Sequence, residues 1–246
     1  MKDIKLYKIV QIGVGGTGGY LVPHLTRMLK CQDARWDYTL VDPDIVEEVN
    51  LSRQNFIRQD LGQYKSQVMA KRYSMGLEAT ILSSTERLEA PEQIIRWFAP
   101  APNDGYTWIP PTLNILIGCV DNNAARRVMN QFYEEYDGFG RLEPLVYMDS
   151  GNGRFDGQVV VAFKRCKEKG SPSPGTLFPD LLKPDPANTN TNCAQRAAED
   201  PQNIMGNIFA SAALLATLSK IIQQKQVGPA IIPFDAAKAF MRGSQH

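Results

Sequence analysis

The residues best suited to chemistry lie near the start of the chain. Gly13, Gly15 and Gly18 stand in GxGxxG spacing within Gln11-Ile12-Gly13-Val14-Gly15-Gly16-Thr17-Gly18-Gly19, between the apolar run Leu6 to Ile12 and the stretch Tyr20 to Lys30. A strand, a glycine turn and the opening of a helix make a phosphate seat. The first helical turn has backbone N–H groups without partners, the macrodipole is positive there, and residues lacking Cβ let an anion approach the backbone. Taken alone, the motif fits a tight strand-to-helix turn as well, and it does not separate NAD, FAD, SAM and ATP. Asp42 ends a second apolar run, Tyr38 to Val41. An acidic residue there reaches the ribose hydroxyls in a doubly wound sheet, or opens the turn at Pro43. Asp44, Asn50, Arg53 and Gln54 follow closely, and Gly62-Gln63-Tyr64-Lys65 adds an ammonium at the start of the next helix. Arginine offers phosphate oxygens a planar fork and lysine a point charge. Singly these are ordinary surface charges; as a set with the glycine turn they point to ATP.

These groups require a frame, and the hydrophobic pattern predicts an α/β, Rossmann-like doubly wound sheet, mostly parallel, with antiparallel strands after the nucleotide-binding half. The first helix runs from about Thr17 to Lys30, with Leu21 and Leu25 inward and Pro23 in its first turns. A helix from Lys65 to about Gly76, a strand within Glu78 to Leu88, and a short helix Pro91 to Phe98 come next. Strand Leu113 to Gly118 delivers Asp121 to the same rim of the sheet as the glycine turn, where such sheets bind ligands. Asp121-Asn122 then starts a helix to Tyr136, so Asp121 is either a ligand for a hard cation or a helix cap. Strands Leu145 to Asp149 and Gly157 to Phe163 are joined by Gly151-Asn152-Gly153, a turn expected to close one side of the nucleotide pocket. Pro100 to Pro111, with Tyr106 and Trp108, is an insertion loop, and residues 164–201 form a mobile loop. A long apolar helix carries Ile204, Ile208, Ala212, Leu215, Leu218 and Ile222 at spacings of three and four, and a short strand follows at Ala230 to Ile232. One domain, 1–246, is expected, with a nucleotide-binding half at 1–136 and a second half at 144–246.

Composition narrows the function. Lys+Arg 27 against Asp+Glu 26 leaves a formal charge of +1, which supplies no field toward nucleic acid or an anionic membrane. Asn207, Ser211, Ser219 and Lys220 interrupt the long apolar helix, which favours a buried or subunit-contact helix over a membrane span. Cys31, Cys119, Cys166 and Cys193 form no CxxC pair, which leaves no zinc-knuckle spacing and no disulfide framework; reduced thiols in the cytoplasm are expected. Cys31 and Cys119 lie on predicted core elements and are expected to be buried.

Asp42-Pro43-Asp44, Asn50-Leu51-Ser52-Arg53-Gln54 and the following Lys65 resemble the ThiF/MoeB/HesA superfamily, which shares its fold with ubiquitin-activating enzymes. The resemblance continues at Asp121-Asn122-Asn123-Ala124-Ala125-Arg126, at Met148-Asp149-Ser150-Gly151-Asn152-Gly153 and at Gly157-Gln158-Val159, covering residues 6 to about 162. Val41 to Gln54, Cys119-Val120-Asp121, Asp149-Ser150-Gly151-Asn152-Gly153 and the late Asn192-Cys193-Ala194 also resemble the ThiF-like proteins of bacterial PRTRC mobile elements. The resemblance implies that Gly13, Gly15, Gly16 and Gly18 hold phosphates and Asp42 the ribose. Asn50, Arg53, Gln54 and Lys65 then hold the triphosphate and an incoming carboxylate, and Asp121 holds magnesium. It implies ATP-dependent adenylylation of the C-terminal carboxylate of a small ubiquitin-like or sulfur-carrier protein by a homodimer. The loop at 164–201 corresponds to the family's crossover loop, where Cys193 is either an acyl-accepting thiol or an unreactive one. Two features depart from the pattern: residues 1 to 8 offer only Lys2, Lys5 and Lys8 where relatives carry an N-terminal arginine, and the paired CxxC zinc ligands are missing. Two rival functions remain, an NAD-dependent oxidoreductase and a non-catalytic nucleotide-binding scaffold.

Overall fold

β1 (Leu6–Ile12) is buried along its whole length, Lys8 and Gln11 included, because it lies at the centre of the sheet. It pairs in parallel with β2 (Arg35–Val41) on one side and, across the sheet, with β4 (Thr112–Gly118) on the other. A strand covered on both faces reads as a near-continuous apolar run, which is why its bounds match those read from the sequence. β3 (Ile81–Ser84) extends the sheet beyond β2 and β5 (Leu145–Asn152) beyond β4, both parallel. β6 (Asp156–Lys164), β7 (Ile231–Asp235) and β8 (Phe240–Met241) continue it antiparallel. The eight strands run β3-β2-β1-β4-β5-β6-β7-β8, the expected Rossmann-like α/β sheet with antiparallel strands at its C-terminal side. The computed structural model describes residues 3–99, 110–139, 143–166, 168–184 and 203–243.

Two helical layers cover the sheet. α1 (Gly16–Lys30) and α2 (Lys65–Leu77) lie on one face with the long helix Ile204–Ile222, and their core includes Tyr7, Leu21, Leu25, Met69, Leu214 and Leu218. α3 (Pro91–Phe98) and α4 (Asn123–Glu135) cover the other face through Ile94, Phe98, Met129 and Phe132. A four-residue helix α5 (Pro174–Leu177) precedes the long helix, which is therefore α6. By length and composition α6 is apolar enough to cross a bilayer, but it packs against α1, β5, β6 and β7, while Ile204, Met205 and Ile208 face outward.

Several local expectations need correction. α1 starts at Gly16, so Pro23 lies well inside it rather than in its first turns. Proline cannot donate to the carbonyl of Gly19, and Asn55 Nδ2 donates to that oxygen instead, at 3.2 Å. Cys31 is exposed, because α1 ends one residue before it; Cys119 is half-buried. β5 runs on through Gly151 and Asn152, so the turn to β6 is Gly153 to Phe155. The segment after β6 is not uniformly irregular: α5 and a 3₁₀ turn, Pro179–Leu182, order its first part. Cys193, Tyr106 and Trp108 lie outside the described residues.

Candidate functional site

The glycine turn is built by close contact. Gly13 has φ 92°, and a Cβ on it would lie 2.3 Å from the backbone oxygen of Cys119. A Cβ on Gly18 would come within 2.1 Å of the Gly13 carbonyl, so α1 can press onto β1 only with glycine there. Gly15 is the N-cap residue and supplies no side chain, which leaves the first backbone donors of α1 directed at the cavity. Behind the turn, Tyr38 Oη donates to Gln11 Oε1, and Gln11 Nε2 donates to the carbonyls of Gly13 (3.0 Å) and Gly18 (3.2 Å).

A cavity of about 440 Å³ opens at the carboxyl ends of the parallel strands, within the usual range for small-molecule sites. Gly13, Gly15, Gly16, Asp42, Asp44, Arg53, Gln54, Lys65 and Asp121 all line it, so groups spread over more than a hundred positions of sequence converge there. Lys65 is the first residue of α2; it is buried, and its Nζ lies 3.2 Å from Asp44 Oδ2. Asp42 is also buried and accepts from Val14 N–H (2.6 Å) and Asp44 N–H (2.9 Å). Burial pushes its carboxyl up to about 6, against the opposing pull of Lys65. The carboxylate therefore fixes the glycine turn itself while it lines the cavity.

Two residues of the expected set lie behind the wall rather than in it. Gly18 serves helix–strand packing, and Asn50 is buried with its Oδ1 accepting from Glu47 N–H at 2.9 Å. The Asn50 carbonyl in turn accepts from the N–H groups of Arg53 (3.2 Å) and Gln54 (2.8 Å), so Asn50 shapes the turn that presents those two side chains. Asp121 lines the cavity, and its neighbour Asn122 caps α4, accepting from Ala125 N–H at 2.9 Å.

The model of the ThiF family matches residues 1–242. The chain belongs to the ThiF family. No curated protein matches it in sequence. Among solved structures, Escherichia coli MccB with AMPCPP and selenomethionine MccA is similar at 14% identity and TM-score 0.62, covering 97% of this chain and 63% of that one. E. coli MccB with ATP is similar at 14% identity and TM-score 0.61, with coverages of 97% and 63%. PaaA is similar at 12% identity and TM-score 0.58, with coverages of 97% and 64%. This ThiF-family chain thus shares their fold over nearly all its residues and spans less than two thirds of their length.

The ThiF-family motifs quoted above contain further residues beside the cavity, among them Arg126, expected from the sequence to brace Asp121 or the loop around it. Asp149, within β5, pairs with Gly118 on β4 and lies in the core, where burial raises its carboxyl and Arg126 opposes the shift. Arg126 Nε lies 3.1 Å from Asp149 Oδ2, and its Nη2 donates to the carbonyls of Val120 (2.7 Å) and Ser150 (3.3 Å). The guanidinium thus braces the loop that carries Asp121 against β5. Thr17 Oγ1 donates to Asn152 Oδ1 (3.3 Å), and Asn152 Nδ2 donates to Asn207 Oδ1 (3.1 Å), tying α1, β5 and α6 together beside the glycine turn. An acidic residue closing a buried strand was a usable signal for Asp149; nothing marked Asn207 within a helix rich in alanine and leucine. Cys119 lines the cavity, but burial and the nearby Asp149 push its thiol upward, away from the ionised nucleophile.

Proposed function

We propose that this chain is an ATP-dependent adenylyltransferase acting on the C-terminal carboxylate of a small ubiquitin-like or sulfur-carrier protein. The observation that carries the reading is the convergence of an uncapped helix N-terminus, Arg53, Lys65 and Asp121 on one cavity. A nicotinamide enzyme would leave those three charged groups without work. Family membership supports the reading, as do the structures of MccB solved with ATP and with MccA.

In this mechanism a carboxylate oxygen of the carrier attacks the α-phosphorus of ATP in line; the bond to the bridging oxygen breaks, pyrophosphate leaves, and an acyl adenylate remains. The chain itself forms no covalent bond in that step. The α1 N-terminus receives the phosphates, and Arg53 and Lys65 neutralise charge gathering on their oxygens. Asp121 lines the cavity and offers a carboxylate, the kind of hard oxygen donor magnesium takes, and it would hold that ion beside the phosphates. Magnesium there would supply further charge neutralisation. The domain is one adenylation unit, its nucleotide-binding half at 1–136 and its carrier-binding half at 144–246. A homodimer through the outward residues Ile204, Met205 and Ile208 of α6 would cover that apolar face. Of the N-terminal lysines, Lys8 is buried within β1 and Lys5, just before it, is exposed.

Mixing the protein, magnesium-ATP and a candidate carrier, followed by mass spectrometry, tests the reading: the carrier should gain an adenylate, and a carrier amidated at its C-terminus should not. A thioester on Cys193 would select the conjugating branch. Thermal shift by NAD and not by ATP would overturn the assignment. Removing a charged hydrogen bond costs about 1.5–3 kcal/mol, so Arg53→Ala and Asp121→Ala should slow carrier-dependent pyrophosphate exchange by about ten- to more than a hundredfold.

A further inference from the structure

The cavity has two chemically distinct sides, and they fall on opposite faces of the sheet. Gly15, Gly16, Arg53 and Lys65 belong to the face of α1 and α2. Leu88, Val120 and Ala125 belong to the apolar cluster of α3 and α4. A nucleotide whose phosphates meet the first set and Asp121 therefore lays its base against the apolar members of the second. Among the other apolar side chains that line this cavity, which include Ile12 and Val41, Leu181 comes from a distant part of the chain, the 3₁₀ turn Pro179–Leu182 after β6.

That turn is strapped onto α4. Asn123 Nδ2 donates to the carbonyls of Asp180 (3.4 Å) and Lys183 (3.2 Å), and Arg127 Nη1 donates to the Lys183 carbonyl at 2.8 Å. Further back, Gly175 N–H donates to the buried Asn130 Oδ1 at 2.9 Å, and the Ser173 hydroxyl caps α5. Three side chains of α4 thus hold the segment, and the residue it presents to the cavity is a half-buried leucine.

We infer that Leu181 closes the base end of the nucleotide site, and that the strap at 173–183 positions it there through Asn123 and Arg127. The inference rests on the ATP reading and adds to it a residue that binds the base face and not the phosphates. Apolar contact on a base face contributes through area removed from water, so it acts on adenosine and ATP alike and leaves a bare phosphate chain untouched.

Calorimetric titration of the full chain with magnesium-ATP, adenosine and inorganic tripolyphosphate tests this. Leu181→Ala should weaken ATP and adenosine by about tenfold, given the methylene area it removes, and should change tripolyphosphate by less than about twofold. The double variant Asn123→Ala/Arg127→Ala should repeat that pattern, because it releases the strap without touching the leucine. Leu181 is half-buried on a surface turn, so its truncation leaves the core intact, and a melting curve checks this. Parental ATP affinity in either variant, or equal losses for ATP and tripolyphosphate, would overturn the inference while leaving a nucleotide site standing. A parent chain that binds neither ATP nor tripolyphosphate would overturn the ATP reading and the inference with it.

Discussion

Arg126→Met would strand a carboxylate in the core. Arg126 has 11% and Asp149 2% of its side chain exposed, and the pair is 3.1 Å apart. Breaking a buried pair by removing one partner costs about 3–5 kcal/mol. Asp149 escapes part of that cost by taking up a proton, so a loss of about 3 kcal/mol at pH 8 is expected, or a drop in Tm of about 6–12 °C for a chain of this size. The pH dependence gives the sharper signature. The Asp149 carboxyl is already raised by burial, and without Arg126 it rises further above its unfolded value. A raised carboxyl contributes stability below its unfolded value and loses that contribution as pH rises through the folded value. The deficit of Arg126→Met should therefore shrink between pH 8 and pH 5. The double variant Arg126→Met/Asp149→Asn, with no charge left to strand, should be the more stable of the two at pH 8. Thermal melts followed by circular dichroism across that range measure both. A deficit that is flat with pH, or a double variant as unstable as the single one, would refute the stranded-carboxylate reasoning. The loss would then belong to the Val120 and Ser150 carbonyls that Arg126 also serves.

Other expectations can be checked as directly. Lys65→Met removes a buried ammonium from the cavity wall and should weaken both ATP and tripolyphosphate by about ten- to a hundredfold in calorimetry. Asp42, raised to about 6, should make the parent lose up to about 3 kcal/mol of stability as pH rises from about 4 to above 6, and Asp42→Asn should lack that component in melts over the same window. Gly18→Ala should unfold the chain or lower its Tm sharply, since the added carbon meets backbone at 2.1 Å. Gly76→Ala, in α2 with nothing within 4 Å, should raise stability by about 0.5–1 kcal/mol.

What could be read in advance followed from how each element is covered. β1 and β4 are buried on both faces, so their apolar runs fixed their bounds to within a residue. β2 begins earlier than expected, at Arg35, because its exposed end alternates charged and aromatic residues while still pairing with Leu6 and Tyr7. Arg53, Lys65 and Asp121 were singled out because phosphate chemistry asks for those types near a glycine turn, and the fold brings all three to one cavity. Asn50 was misread for the complementary reason: a buried amide that organises a turn looks, in sequence, the same as one that meets a ligand. Arg126 was read as a brace for Asp121 or the loop around it, and it does bond the Val120 carbonyl of that loop; the work of Asp149 and Asn207 depends on partners in other elements, and pattern within one segment carries no record of such partners.

The proline inside α1 has a last consequence. Because Pro23 withholds an amide hydrogen, the Gly19 oxygen accepts from Asn55, which follows immediately after Arg53 and Gln54, and Asn55 Nδ2 also donates to Tyr73 Oη on α2. A vacancy in one helix's ladder has become a rivet between the anion-receiving turn and the arginine-bearing loop. The two should shift as a rigid unit, so that an anion arriving at either registers the other without any separate closing motion.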